Sequence, residues 1–116
     1  MRLNDFKLTE HFNLSEFQCP CCHSVRLSPQ LVLKLEAVRQ RWGNAIIINS
    51  GYRCASHNKE VGGAAASLHR QGLAADVRIR REDQEHFRRI AASEGFTRVI
   101  MYGDRGFIHL ETGGNI

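Results

Sequence analysis

A chain of 116 residues and 13.2 kDa has room for one hydrophobic core but not for two, so a single domain over residues 1–116 is expected. Its hydrophobic share of 42% and charged share of 24% exclude a disordered or fibrous chain, and the longest apolar run, Ala45 to Ile48, is far too short to span a bilayer. The net charge of +4 favours polyanionic surroundings, but the basic residues are scattered apart from Arg78, Arg80, Arg81, Arg88 and Arg89, which read as a solvated helix face and its flank.

Residues 1–17 carry Asp5, Lys7, Glu10, His11 and Glu16 and lack the apolar stretch and small-residue cleavage site of a secretory signal, which predicts a chain that is cytoplasmic as synthesised. Residues 1–27 read as an irregular segment, with Leu14 to Phe17 as a short helical turn ahead of Cys19, Cys21 and Cys22. The fourth cysteine, Cys54, stands alone downstream. A secreted disulfide framework spaces its cysteines more evenly, so thiols or a metal are expected instead. Cys19-x-x-Cys22 and Cys54-x-x-His57 together offer a four-ligand set for a structural zinc, with buried or incidental thiols as the alternative.

Ser28 then reads as an N-cap and Pro29 as the first helical residue; Leu31, Leu35, Val38 and Trp42 recur at helical spacing until Gly43. The β-branched run Ala45 to Asn49 predicts a buried strand. Gly62 to Ala66 is a flexible approach to Ser67-Leu68-His69, and Leu73 to Ile79 alternates as a second strand carrying Asp76. Glu82 to Ser93 predicts a second helix ending at Gly95. Phe96 to Tyr102 and Phe107 to Glu111 predict two strands joined by the turn Gly103-Asp104-Arg105-Gly106. No internal repeat interrupts this order, which specifies an α+β domain with a small, largely antiparallel sheet and helices packed on it.

Three residues in that frame suit a catalytic zinc, which takes three protein ligands and keeps one position open. His69 and Asp76 are joined by a loop turning at Gly72, and His109 on the last strand points away from its apolar neighbours Ile108 and Leu110. If the strands at Asp76 and His109 pair, the two donors meet across the sheet.

The run Ser67-Leu68-His69-Arg70-Gln71-Gly72-Leu73-Ala74-Ala75-Asp76 resembles the S-x-H-x-x-G-x-A-x-D signature of the M15 zinc peptidases, which include D-Ala-D-Ala carboxypeptidases and L-alanyl-D-glutamate endopeptidases. Ser50-Gly51-Tyr52-Arg53 resembles the element that precedes it in the family, and Phe107-Ile108-His109 the late aromatic-apolar-His strand. The resemblance covers residues 28–113 and implies a fold shared with Hedgehog signalling domains, so fold alone does not set the activity. It implies His69, Asp76 and His109 as ligands of Zn2+ and a peptidoglycan stem peptide as substrate. Arg53 would bind or polarise a substrate carbonyl or carboxylate, and Ser67, with Tyr52 beside Arg53, would contribute to substrate binding; a structural ion pair is the alternative for Arg53. The chain departs from the family pattern at the catalytic base. Many members carry Asp or Glu three residues before the last histidine, where this chain has Gly106. Asp104, on the turn, and Glu111, on the strand face of His109, are the remaining carboxylates, and Asp104 is narrowly favoured.

The expectation is therefore a monomeric zinc metallopeptidase acting at the cell wall or periplasm, with no nucleic-acid or membrane partner. Three rivals stand beside it. The fold could be retained as a non-catalytic zinc-binding or peptidoglycan-binding module, as Gly106 permits. The cysteines and basic helix could mark a zinc-ribbon nucleic-acid module, which leaves the His69–Asp76 run unexplained. A nucleophilic cysteine at Cys54 or Cys22 has no local signature.

Overall fold

The computed structural model describes residues 3–113. Helix α1 (Pro29–Trp42) begins where Ser28 Oγ accepts the Gln30 N–H and ends at Gly43, whose φ of 75° is the left-handed conformation that closes a helix without a side-chain penalty. Strands β1 (Ile47–Ser50), β2 (Ala74–Arg78), β3 (Arg98–Met101) and β4 (Phe107–Glu111) form one antiparallel sheet in the order β1-β2-β4-β3. Helix α2 (Ala55–Glu60) follows β1, and helix α3 (Gln84–Ser93) follows a short 3-10 turn at Arg81–Asp83. The architecture is α+β, as expected.

Period-2 alternation divides the two central strands between two environments. Ala75 and Val77 of β2 and Ile108 and Leu110 of β4 are fully buried and pack with Leu31, Leu35 and Val38 of α1 and Phe87, Ile90 and Ala91 of α3. Asp76 and His109, on the opposite face, are direct register partners. The cross-strand meeting anticipated from sequence is therefore present.

One local expectation needs correction. The first strand is not buried but an edge, with Ile47 49% exposed; burial in that segment belongs to Ile46, just ahead of it. The structure adds two elements to the sequence reading: Cys54 caps α2, which is too short for a helical period to register in the sequence. The approach to Asp76 also contains a 3-10 turn, Leu68–Gln71, capped by Ser67 Oγ on the His69 N–H.

Residues 6–27 make several close approaches to this layer, among them those at Gly72 and at Glu36. Gly72 has a φ of 72°, and a Cβ there would lie 2.3 Å from the carbonyl oxygen of Arg26. Gly72→Ala is expected to destabilise the fold by about 3 kcal/mol, summing left-handed strain and a backbone clash. Thermal melts should show a fall of roughly 10 °C or more; an unchanged melting temperature would mean that the crossing is not tight.

The second approach is at Glu36 on α1. Its carboxylate accepts from Thr9 Oγ1 at 2.6 Å, from the His11 N–H at 2.8 Å, from His11 Nδ1 at 2.6 Å and from Gln40 Nε2 at 3.2 Å. Burial acts to raise its pKa, but these hydrogen bonds outweigh it and hold the group at about 2, below its ordinary 4.5. A carboxylate depressed in the folded state contributes stability above its unfolded value and loses it as pH falls through the folded one. Between about pH 4.5 and 2 the protein should lose about 3 kcal/mol from this group. Denaturant titrations across that window should show the loss in the native chain and little of it in Glu36→Gln.

Candidate functional site

His69 reaches the polar face of the sheet from the 3-10 turn that Ser67 caps and Gly72 ends. The imidazole is buried, 2% exposed, with Nδ1 2.8 Å from the carbonyl oxygen of Gly51. A carbonyl only accepts, so Nδ1 carries a proton, and in the neutral ring Nε2 keeps its lone pair. That Nε2 is buried with no hydrogen-bond partner, although Asp76 Oδ1 lies 3.4 Å away. An unpaired buried acceptor aimed at a carboxylate is otherwise unfavourable, and it is what a metal-ligating histidine oriented by a backbone carbonyl presents.

Asp76 stands at the centre. Oδ1 accepts from His109 Nδ1 at 2.8 Å, and Oδ2 accepts from Arg53 Nη2 at 3.3 Å. Burial pushes its pKa up, but the hydrogen bond from His109 prevails and keeps it ionised well below the usual carboxylate range. His109 also donates from Nε2 to Glu111 Oε1 at 2.9 Å. Burial opposes its protonation, yet the bonds to Asp76 and Glu111 raise its pKa overall. The donor atoms of His69, Asp76 and His109 all lie within 4.8 Å of one another. Two imidazoles and one carboxylate are a suitable set for zinc, which would take Nδ1 of His109 in place of its proton while Nε2–H stays on Glu111.

These residues line a cleft of about 580 Å³. A family model described as Peptidase M15 matches residues 7–111. The chain belongs to the peptidase M15 family. It is also 35% identical over 74 residues to a zinc D-Ala-D-Ala carboxypeptidase of Streptomyces albus G, an alignment covering 63% of this chain and 29% of that relative. The chain thus matches well under two thirds of that relative's length.

The remaining sequence candidates of this M15 chain are distributed as follows. Arg53 lines the cleft, donating from Nε to Ser50 Oγ and from Nη1 to Asn58 Oδ1 as well as to Asp76. Ser67 lines it too, with its hydroxyl oxygen engaged as a helix cap. Tyr52 lies outside the lining and hangs its N–H on the Phe17 carbonyl at 2.8 Å. Glu111 faces the cleft. Asp104 does not: its side chain is 83% exposed and paired with Arg81 at 2.9 Å. The four sulfurs of Cys19, Cys21, Cys22 and Cys54 converge elsewhere. His57 does not join them; its backbone N–H donates to Cys54 Sγ, and Cys21 occupies the fourth corner.

Sequence reasoning missed one wall of the cleft. Tyr102 and Phe107 stack at 4.4 Å, and the Arg105 guanidinium lies 5.5 Å and 5.0 Å from their ring centroids. Arg98 from β3 completes a cationic lining with Arg53. The aromatic residues flank a predicted turn, but only the register of β3 on β4 brings Arg98 to Glu111.

Proposed function

We propose that the chain, acting as one domain, is a zinc-dependent peptidase that hydrolyses a peptide bond in peptidoglycan stem peptides, at a D-Ala-D-Ala or an L-Ala-D-Glu linkage. The observation that carries this reading is the unpartnered Nε2 of His69, aimed at Asp76 beside His109. Family membership and the named activity of the relative support it. When bound by His69, Asp76 and His109, zinc supplies Lewis acidity, which polarises a carbonyl and lowers the pKa of water toward neutrality.

The chain's own groups supply the rest. Glu111 is the cleft carboxylate outside the ligand triad among the described residues, and His109 engages only its Oε1. We assign it, rather than Asp104, as the group that takes the proton from attacking water and delivers it to the leaving amine. Arg53, held on Asp76, Ser50 and Asn58, presents its remaining N–H groups to the oxygen that gains charge as the carbonyl is attacked. Arg98 and Arg105 favour a substrate bearing carboxylates, as stem peptides do.

The reading is tested by incubating the zinc-loaded chain with purified peptidoglycan sacculi and resolving the muropeptides by mass spectrometry. Shortened or opened stem peptides are expected, and chelation should prevent them. An unchanged muropeptide profile at zinc saturation would leave the domain as a binding module.

A further inference from the structure

Cys19, Cys21 and Cys22 come from one loop and Cys54 from the cap of α2, yet all four sulfurs lie within 4.8 Å of one another. Cys21 Sγ is 3.5 Å from Cys19 Sγ and 3.3 Å from Cys54 Sγ. A tetrahedron of thiolates around zinc, with bonds of about 2.3 Å, has edges of about 3.8 Å. The two shortest spacings fall a few tenths of an ångström inside that edge, no spacing exceeds 4.8 Å, and all four cysteines are free.

The backbone is arranged for the same purpose. Cys19 donates its N–H to the Ser24 carbonyl at 2.8 Å, and His23 donates back to Cys19 at 2.8 Å, closing the loop that carries three of the sulfurs. His23 sits at φ 61°, a left-handed conformation costly for a residue with a side chain, and its carbonyl is held by Asn4 Nδ2 at 2.7 Å. Two backbone amides point at sulfur: Cys54 N–H at Cys19 Sγ and His57 N–H at Cys54 Sγ, both at 3.5 Å. Amide donors stabilise thiolates, the form that binds metal.

We propose that Cys19, Cys21, Cys22 and Cys54 bind one structural Zn2+ as a closed tetrathiolate site, separate from the His69, Asp76 and His109 triad. Four thiols release their protons as four zinc–sulfur bonds form. The site has a mechanical consequence for the cleft, because Cys54 directly follows Arg53, whose N–H is bonded to the His69 carbonyl at 3.2 Å. Binding the N-terminal loop to Cys54 immobilises the segment that aims the Arg53 guanidinium. The proposal stands whether or not the cleft hydrolyses peptides.

Zinc content per chain, measured by mass spectrometry on the full-length protein, tests it. Two zinc ions are expected in the native chain, one in Cys21→Ser, and two in His57→Ala. His69→Ala should retain one, whose X-ray absorption shell consists of four sulfurs at about 2.3 Å. That last measurement leaves every cysteine in place, so misfolding of Cys21→Ser does not shelter the proposal. It is overturned if Cys21→Ser keeps the native zinc count, if His69→Ala holds no metal or a metal ligated by nitrogen and oxygen, or if the cluster takes iron. A native chain with a single, all-sulfur zinc would support this site and count against the metal reading of the cleft.

Discussion

Replacing His69 with alanine is expected to remove the cleft metal and reduce peptide hydrolysis by about three orders of magnitude or more. Metal polarisation is worth several kcal/mol of transition-state stabilisation, and each 1.4 kcal/mol is tenfold in rate. The substitution deletes one of three donors lying within 4.8 Å of one another, and the two that remain cannot rebuild the set. It also frees the Gly51 carbonyl, which loses its 2.8 Å bond, so circular dichroism should accompany the assay. A folded His69→Ala chain that hydrolyses at the native rate would remove the triad from the chemistry.

Glu111→Gln separates two jobs that one carboxylate could hold. As the proton acceptor, Glu111 should contribute on the order of 10²–10⁴ in rate, and its loss should leave the cleft zinc bound. As a mere support for the His109 ring, its loss should weaken metal affinity by about 10–100-fold, with the rate recovering when zinc is added in excess. We expect the first pattern, because only Oε1 is occupied by His109. Asp104→Asn serves as the comparison: an exposed residue paired with Arg81 should change the rate little. A large loss in Asp104→Asn with a near-native Glu111→Gln would reverse the assignment.

Much of this arrangement was legible in the residue order, because Asp76 and His109 sit on strands with strong local signals. Ser28, Pro29 and Gly43 bracket α1, and alternation alone places Asp76 and His109 on the face opposite Val77 and Ile108. What alternation does not encode is which strands neighbour one another. The insertion of β4 between β2 and β3 puts His109 beside Asp76 and also carries Arg98 to the cleft. The cysteines illustrate the same limit. Spacing suggested His57 as a partner of Cys54, but α2 turns its amide toward that sulfur while the 19–24 loop brings Cys21 Sγ to 3.3 Å from it. Asp104 drew attention by proximity in sequence, whereas its partner Arg81 lies 23 residues away.

The three proposed ligands are not supported alike. Asp76 and His109 are anchored in the two middle strands of the sheet, the part of such a fold whose amides exchange with solvent only on near-global opening. His69 lies outside the sheet on a 3-10 turn between a cap and a glycine, tied to Gly51 by its ring and to Arg53 by its carbonyl, contacts that can break without unpairing the central strands. Loss and uptake of the ion should therefore be timed by fluctuations of residues 67–72, with the strands standing by as a preformed half-site.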